Sequence, residues 1–181
     1  LRLSDGDHPY NDMEFYVFVR GPVWLAERRW RRTLHTFVEQ IGQQAGIDVE
    51  FKLASLDRLR RSPVTMFYYD LVVGHRWLWG DETLLAPCVH HRAASEIPLH
   101  EATRLLMNRC SGLLFALARL RRASFAAEDA DFVGRNLAKA QLGFGDVVLA
   151  AAGQYHWSCR KRHERLLRME VDGGRPWLSA L

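Results

Sequence analysis

The pattern of apolar and polar positions predicts two strands joined by a helix at the start of the chain. Residues 15–19 are apolar, and residues 47–53 alternate apolar and polar side chains with a period of two. Between them, after the break at Gly21-Pro22, apolar residues recur at helical spacing from about Trp24 to Gln44. The pattern therefore predicts a strand–helix–strand unit.

The next segments are shorter and more polar. Leu56 to Arg61 is typical of a short helix that stops before Pro63, and Arg76 to Trp79 is interpreted as a short strand that ends at Gly80-Asp81. Residues 86–97 contain Pro87 and are interpreted, together with the following Pro98, as a linker.

Beyond this linker the apolar period becomes helical. Long amphipathic helices are predicted from about 98 to 121 and from about 129 to 157, and a third from 159 to 169. Antiparallel packing of these helices would form a small bundle. The predicted fold class is therefore α+β, with an α/β domain at 1–85, a linker at 86–97 and a helical bundle domain at 98–181.

The first strand begins with two acidic residues that are spaced one apart. Because alternate side chains of a strand share a face, Asp12 and Glu14 point the same way, while Met13, Phe15 and Val17 enter the core together with Val19. Mg²⁺ is usually held by one or two protein carboxylates plus the phosphates of a substrate. The pair is therefore a candidate half-site for Mg²⁺.

A second acidic pair follows in the second strand. Asp48 and Glu50 share the face opposite to Ile47, Val49 and Phe51. If this strand lies beside the first, one of the two adds a third carboxylate to Asp12 and Glu14, and three carboxylates can hold two metal ions. The alternative is that Asp48 and Glu50 form the solvent face of an edge strand.

These motifs resemble a known superfamily. The stretch from Ser4 to Phe18 resembles the acidic motif of the nucleotidyltransferases, especially the kanamycin and lincosamide enzymes of antibiotic resistance, and Val49 to Phe51 is similar to the place of their third carboxylate. Ser62 to Leu71 and Arg76 to Asp81 resemble the segments that close such a domain. The resemblance implies a mixed sheet with flanking helices, followed by a helical domain. It also implies Asp12, Glu14 and Glu50 as catalytic metal ligands, with Asp48 as the substitute if the register differs by two.

The chain departs from the family pattern in two places. The family carries a Gly-Ser pair about ten residues before the acidic pair, where backbone N–H groups receive the nucleotide phosphates. No such pair precedes Asp12, and we expect it in a segment ahead of Leu1. The resemblance also implies a general base on the first helix of the helical domain, where Glu101 is the candidate, although Asn108-Arg109 stands at the aligned position.

Two basic residues of the second long helix are candidates for binding the nucleotide. Arg135 and Lys139 are four residues apart and therefore share a helical face. If that face looks toward the acidic pair, Lys139 would neutralise a triphosphate. The alternative is ordinary ion pairing with Asp131 or Asp146.

Composition excludes some classes of protein. No apolar run approaches the roughly twenty residues of a membrane span, and no charged-then-apolar leader opens the chain, so we expect a cytoplasmic protein without a membrane partner. The three cysteines indicate neither a disulfide scaffold nor a zinc knuckle. The net charge is +4, and the arginines between Arg28 and Arg32 lie opposite an apolar helical stripe, so they are interpreted as a solvated face.

The sequence therefore predicts an enzyme. It would be a Mg²⁺-dependent nucleotidyltransferase whose partners are a nucleoside triphosphate and a hydroxyl acceptor, which is a small molecule or a protein; a homodimer is compatible with the sequence. The alternative is a catalytically inactive homologue that binds a nucleotide or a partner protein as a regulator. A third hypothesis, an arginine-rich RNA-binding bundle, is disfavoured because the basic clusters follow helical faces.

Overall fold

The computed structural model describes residues 12–169, and the chain divides between Ser62 and Pro63 into two compact units. This division differs from the predicted boundary at residue 85. Residues 63–85 belong with the second unit because Tyr69 packs in the same core as Leu149 and Tyr155. The predicted α+β class is confirmed at the level of a two-stranded parallel sheet with several helices among the described residues.

The first unit is the predicted strand–helix–strand arrangement. It consists of β1 (Asp12–Val19), α1 (Val23–Ala45), β2 (Asp48–Ser55) and the short α2 (Leu56–Arg61). Helix α1 ends where Gly46 adopts a left-handed conformation with φ of 66°, and the backbone N–H of Gly46 donates to the carbonyl oxygen of Gly42. Helix α2 begins where the Ser55 hydroxyl accepts a hydrogen bond from the Arg58 backbone N–H.

The two strands pair in parallel, and β2 packs against α1. Met13 lies opposite Val49 and Phe15 opposite Phe51, and the two phenylalanine rings stack with centroids 4.9 Å apart. Val49 is buried on this apolar face. The prediction that Val17 enters the core is wrong, because Val17 is 36% exposed toward the end of β1.

The second unit is helical. Its elements are α3 (Met66–Gly74), α4 (Leu99–Leu120), α5 (Ala127–Ala151) and α6 (Cys159–Arg168), with 3₁₀ turns at Val89–His91 and Ala94–Glu96. The predicted strand at Arg76 to Trp79 is wrong, because these residues form an irregular segment after α3 and pair with neither of the strands among residues 12–169. Helix α5 ends six residues before its predicted end, since Gly153 turns the chain with φ of 66°.

Helices α4 and α5 form an antiparallel hairpin. Ordered along the chain, Arg109 contacts Gly143, Gly112 contacts Asn136, and Arg119 binds Asp129, so the partners run in opposite directions. The glycines matter here because a β-carbon at Gly143 would lie 2.8 Å from Arg109 Cγ and one at Gly112 would lie 2.5 Å from the Asn136 side-chain oxygen. The hairpin turn is closed by the Asp129 carboxylate, which accepts from Arg119, Arg122 and the Ala126 backbone N–H.

The core of the second unit joins α3, α4 and α5 to the loop after α5. It is built from the buried residues Tyr69, Ile97, Ala102, Leu149, Ala150 and Tyr155. Cys88, Cys110 and Cys159 are free thiols. Between residues 12 and 169, none of the helices has the length and apolar character that crossing a bilayer would require.

Candidate metal and nucleotide site

Parallel pairing brings the two predicted acidic pairs to one edge of the sheet. Asp12 lies in register with Asp48, and Glu14 lies in register with Glu50. Both pairs come from the first three residues of their strands, and the starts of two parallel strands meet at the same edge. The four acidic residues therefore occupy neighbouring positions on one face, opposite to the face of Val49.

A lysine lies between two of these carboxylates. Lys52 Nζ is 2.9 Å from Glu14 Oε1 and 3.2 Å from Glu50 Oε2, so one ammonium group binds a carboxylate from each strand. The two hydrogen-bonded carboxylates raise the pKa of Lys52, which keeps the ammonium charged. The three side chains are partly exposed, so this cluster is open to solvent.

Tyr16 completes the cluster. Its hydroxyl donates to Glu14 Oε2 over 3.3 Å, and Lys52 Nζ lies 5.7 Å from the centre of its ring. Burial raises the pKa of Tyr16, and the neighbouring Glu14 charge raises it further. Sequence reasoning missed Tyr16 and Lys52, although both continue the period of two that places Glu14 and Glu50 on this face.

The sequence predicts three converging carboxylates, and the structure brings two of them to one cation. Within residues 12–169, no group of three or more His, Cys, Asp or Glu side chains is arranged to hold a metal ion. The carboxylates that converge are those of Glu14 and Glu50, and the group between them is a cation. This arrangement fits a Mg²⁺ ion held by two carboxylates and by substrate phosphates, because the lysine ammonium occupies the position that suits a cation.

The predicted general base, Glu101, lies in the second unit at the start of α4. It is only 3% exposed, and its Oε2 accepts from the Met66 backbone N–H at 3.0 Å and from Arg104 at 2.8 Å. The carboxylate thus binds the first turn of α3 and joins α3 to α4. Its role as a general base stays a prediction.

The predicted nucleotide-binding pair also lies in the second unit. Arg135 forms a salt bridge with Asp131 at 2.8 Å, which is the ion-pair alternative that the sequence allowed. Lys139 is exposed on the outside of α5. Their contact with a nucleotide stays a prediction.

A buried polar network links four elements of the second unit. Arg162 Nε on α6 is 2.5 Å from Asp146 Oδ1 on α5, and the Tyr155 hydroxyl donates to Asp70 Oδ2 on α3 over 2.9 Å. Arg162 also donates to the carbonyl oxygens of His156 and Trp157 and thereby fixes the loop after α5. Sequence periodicity gave no signal for this network, because Asp70 and Tyr155 lie 85 positions apart.

Burial in this network changes the pKa values of its members. Burial raises the pKa of Asp70 to about 6 from its ordinary 3.8, against the opposing effects of the Tyr155 hydrogen bond and the Arg162 charge. Burial likewise raises the pKa of Asp146, although Arg162 and Arg109 act in the opposite direction. Burial also raises the pKa of Tyr155, so its hydroxyl stays protonated as a donor.

The Asp70 shift predicts that stability depends on pH. Because the folded state holds the Asp70 proton more tightly than the unfolded state does, the free energy of unfolding should fall as pH rises from about 4 to about 6, by at most about 3 kcal/mol. Asp70→Asn keeps an acceptor for Tyr155 and removes the titration, so it should flatten that part of the curve. Urea denaturation of both proteins at pH 4, 5, 6 and 7 measures the difference, and equal slopes would contradict the shift.

Comparisons with known proteins identify no relative of this chain. No family model, no curated protein and no solved structure matches this chain. The functional interpretation therefore depends on the residues of the site.

Proposed function

We propose that the chain is a nucleotidyltransferase-like protein whose first unit binds a Mg²⁺ ion and a nucleoside triphosphate. The observation that carries the proposal is the in-register pairing of Glu14 and Glu50 around one cationic group. The resemblance of the Asp12 to Glu14 segment to the acidic motif of nucleotidyltransferases supports the same function. Its class is Mg²⁺-dependent transfer of a nucleoside monophosphate to a hydroxyl group.

The reaction exchanges one phosphorus–oxygen bond for another. The acceptor hydroxyl oxygen forms a bond to the α-phosphorus, the bond from this phosphorus to the bridging oxygen of the β-phosphate breaks, and pyrophosphate leaves. The hydroxyl proton passes to a base. When bound, Mg²⁺ would neutralise the charge of the triphosphate and of the departing pyrophosphate.

The residues of the site have distinct parts in this proposal. Glu14 and Glu50 would hold the metal, with Asp12 and Asp48 as neighbouring carboxylates on the same face. Lys52 can exchange its carboxylate partners for phosphate oxygens, because its ammonium is partly exposed and carries three donors. Tyr16 orients Glu14 through its hydroxyl.

Binding and turnover test the proposal together. Calorimetric titration of the chain with each of the four nucleoside triphosphates, with and without Mg²⁺, should show binding that requires the metal. Incubation with an α-labelled triphosphate and a panel of hydroxyl acceptors should then transfer the label. Failure of every triphosphate to bind in the presence of Mg²⁺ would reject the proposal.

Lys52 provides a test that needs no acceptor. Because its ammonium competes with a divalent cation for Glu14 and Glu50, Lys52→Met should bind Mn²⁺ or Mg²⁺ more tightly, by roughly 5-fold if two exposed ion pairs oppose binding by about 0.5 kcal/mol each. Titration calorimetry with the metal alone measures this. Lys161→Met is the matched control, since Lys161 forms a similar pair with Glu164 at 2.8 Å away from the site. Unchanged or weaker metal binding in Lys52→Met would count against a shared cation site.

A second candidate function is favoured by the same lysine. Since Lys52 already neutralises Glu14 and Glu50, the chain would be a regulator that binds a nucleotide without transferring it. Nucleotide binding that is independent of Mg²⁺ and is followed by no transfer of label would select this alternative.

A further inference from the structure

The α4–α5 hairpin of the second unit carries an apolar face that is exposed. Along α4, exposed side chains recur at intervals of three and four residues: Met107, Cys110, Leu114 and Leu117. Along α5 the same intervals separate exposed Gly134, Leu137, Gln141 and Phe144. These eight residues are called the hairpin face below, and their spacing is that of a helix that packs against further helices.

Both stripes lie on the same side of the hairpin. On α4, Cys110 comes one residue after Arg109, which contacts α5. On α5, Leu137 comes one residue after Asn136, which contacts α4. One residue turns a helix by about 100°, and in an antiparallel pair equal turns away from the interface lead to the same side. The stripes therefore form one continuous surface.

This surface is free of charge. No member of the hairpin face is ionised at neutral pH, although the same two helices carry Arg104, Asp131 and Lys139, and Arg121 directly follows α4. Charged residues are depleted in the centre of protein interfaces, where large apolar side chains are enriched. The hairpin face has the composition of such a centre.

The size of the hairpin face suits a dimer. Met107, Leu114, Leu117, Leu137 and Phe144 each expose between 43% and 68% of their surface, which amounts to on the order of 400 Å². Two copies would bury about 800 Å² of apolar surface, and with a typical apolar share of about 57% the whole interface approaches 1,400 Å². Stable interfaces bury about 1,200–2,000 Å².

Gly134, the first residue of the α5 stripe, leaves a gap in this surface. A β-carbon added at Gly134 would meet nothing within 4 Å, so packing inside the chain does not require a glycine there. A glycine inside a helix costs roughly 0.5–1 kcal/mol relative to alanine. The absence of a side chain gives space for close approach by a further helix.

We infer that the hairpin face binds the hairpin face of a second copy of this chain. A surface that is uncharged, and that combines the large side chains of α4 with the small Gly134, complements itself when two copies meet about a twofold axis. The two hairpins then form a four-helix bundle, which buries the apolar stripes of both copies. This inference does not depend on the proposed nucleotidyltransferase function.

The mass of the full chain in solution tests the inference. Sedimentation equilibrium at tens of micromolar should give twice the chain mass of 20.9 kDa. Leu114→Glu places a charge in the hairpin face and should raise the dissociation constant at least about 100-fold. Phe115→Glu is the matched control, because Phe115 is 65% exposed against 68% for Leu114 but points about 100° away around α4.

Leu137→Glu repeats the test on α5, and circular dichroism verifies that each variant keeps the helical content of the wild type. Dimeric wild type and Phe115→Glu, with monomeric Leu114→Glu and Leu137→Glu, would support the inference. Three results would overturn it: a monomeric wild type, a dimer that tolerates both face variants, or a Phe115→Glu protein that dissociates as readily as Leu114→Glu. If the wild type is monomeric and another protein covers this face, the inference is overturned as well.

Discussion

Glu14→Gln is expected to lower Mg²⁺-dependent nucleotide transfer by about 100- to 1,000-fold. The substitution keeps the shape of the side chain but removes the negative charge that pairs with Lys52 and, in the proposed site, with Mg²⁺. The loss should appear in kcat, since the charge that the metal stabilises develops as pyrophosphate departs. Initial rates of label transfer at saturating triphosphate measure it.

Glu27→Gln is the control for this experiment. Glu27 lies exposed on α1 in the same unit, so the substitution makes the same chemical change away from the acidic face. Its activity should match that of the wild type. Glu50→Gln should resemble Glu14→Gln because the two carboxylates bind the same cation. Full activity in both acidic-face variants would remove these residues from the site.

Arg162→Met is expected to lower the free energy of unfolding by about 3–5 kcal/mol, the range for breaking a buried ion pair on one side. The substitution leaves the Asp146 carboxylate buried without the guanidinium 2.5 Å away, and it removes the donors to the His156 and Trp157 carbonyl oxygens. Burial already raises the pKa of Asp146, and the Arg162 charge opposes this increase. Urea denaturation followed by circular dichroism at pH 7 measures the loss.

Two further variants distinguish the effect of breaking the Arg162–Asp146 ion pair from the effect of removing any arginine of α6. Arg160→Met is the control, because the Arg160 side chain is 84% exposed and pairs only loosely with Glu164 at 3.9 Å. It should change stability by less than about 1 kcal/mol. Adding Asp146→Asn to Arg162→Met removes the unpaired charge and should recover part of the loss. If Arg162→Met is as stable as Arg160→Met, the network contributes little to the fold.

Local periodicity predicted the parts of this protein that depend on neighbouring residues alone. The period of two put Glu14 and Glu50 on one face of their strands, and the helical period predicted α1, α4 and α6 nearly to their ends. The same reasoning failed at Arg76 to Trp79, where the residue types suit a strand but no partner strand is available in the described chain. A strand exists only when another strand pairs with it, and one segment cannot specify that.

The sequence by itself determined which side chains share a face of each element, because a strand repeats every two residues and a helix every 3.6. Only the tertiary structure decided which elements meet. The parallel register of β1 and β2 set Glu14 opposite Glu50 and brought Lys52 between them, and the packing of α3 against the core of α5 moved the division of the chain to Ser62. Contacts such as that between Asp70 and Tyr155 join positions that are far apart in the sequence. They form because the whole core packs together, so no local pattern predicts them.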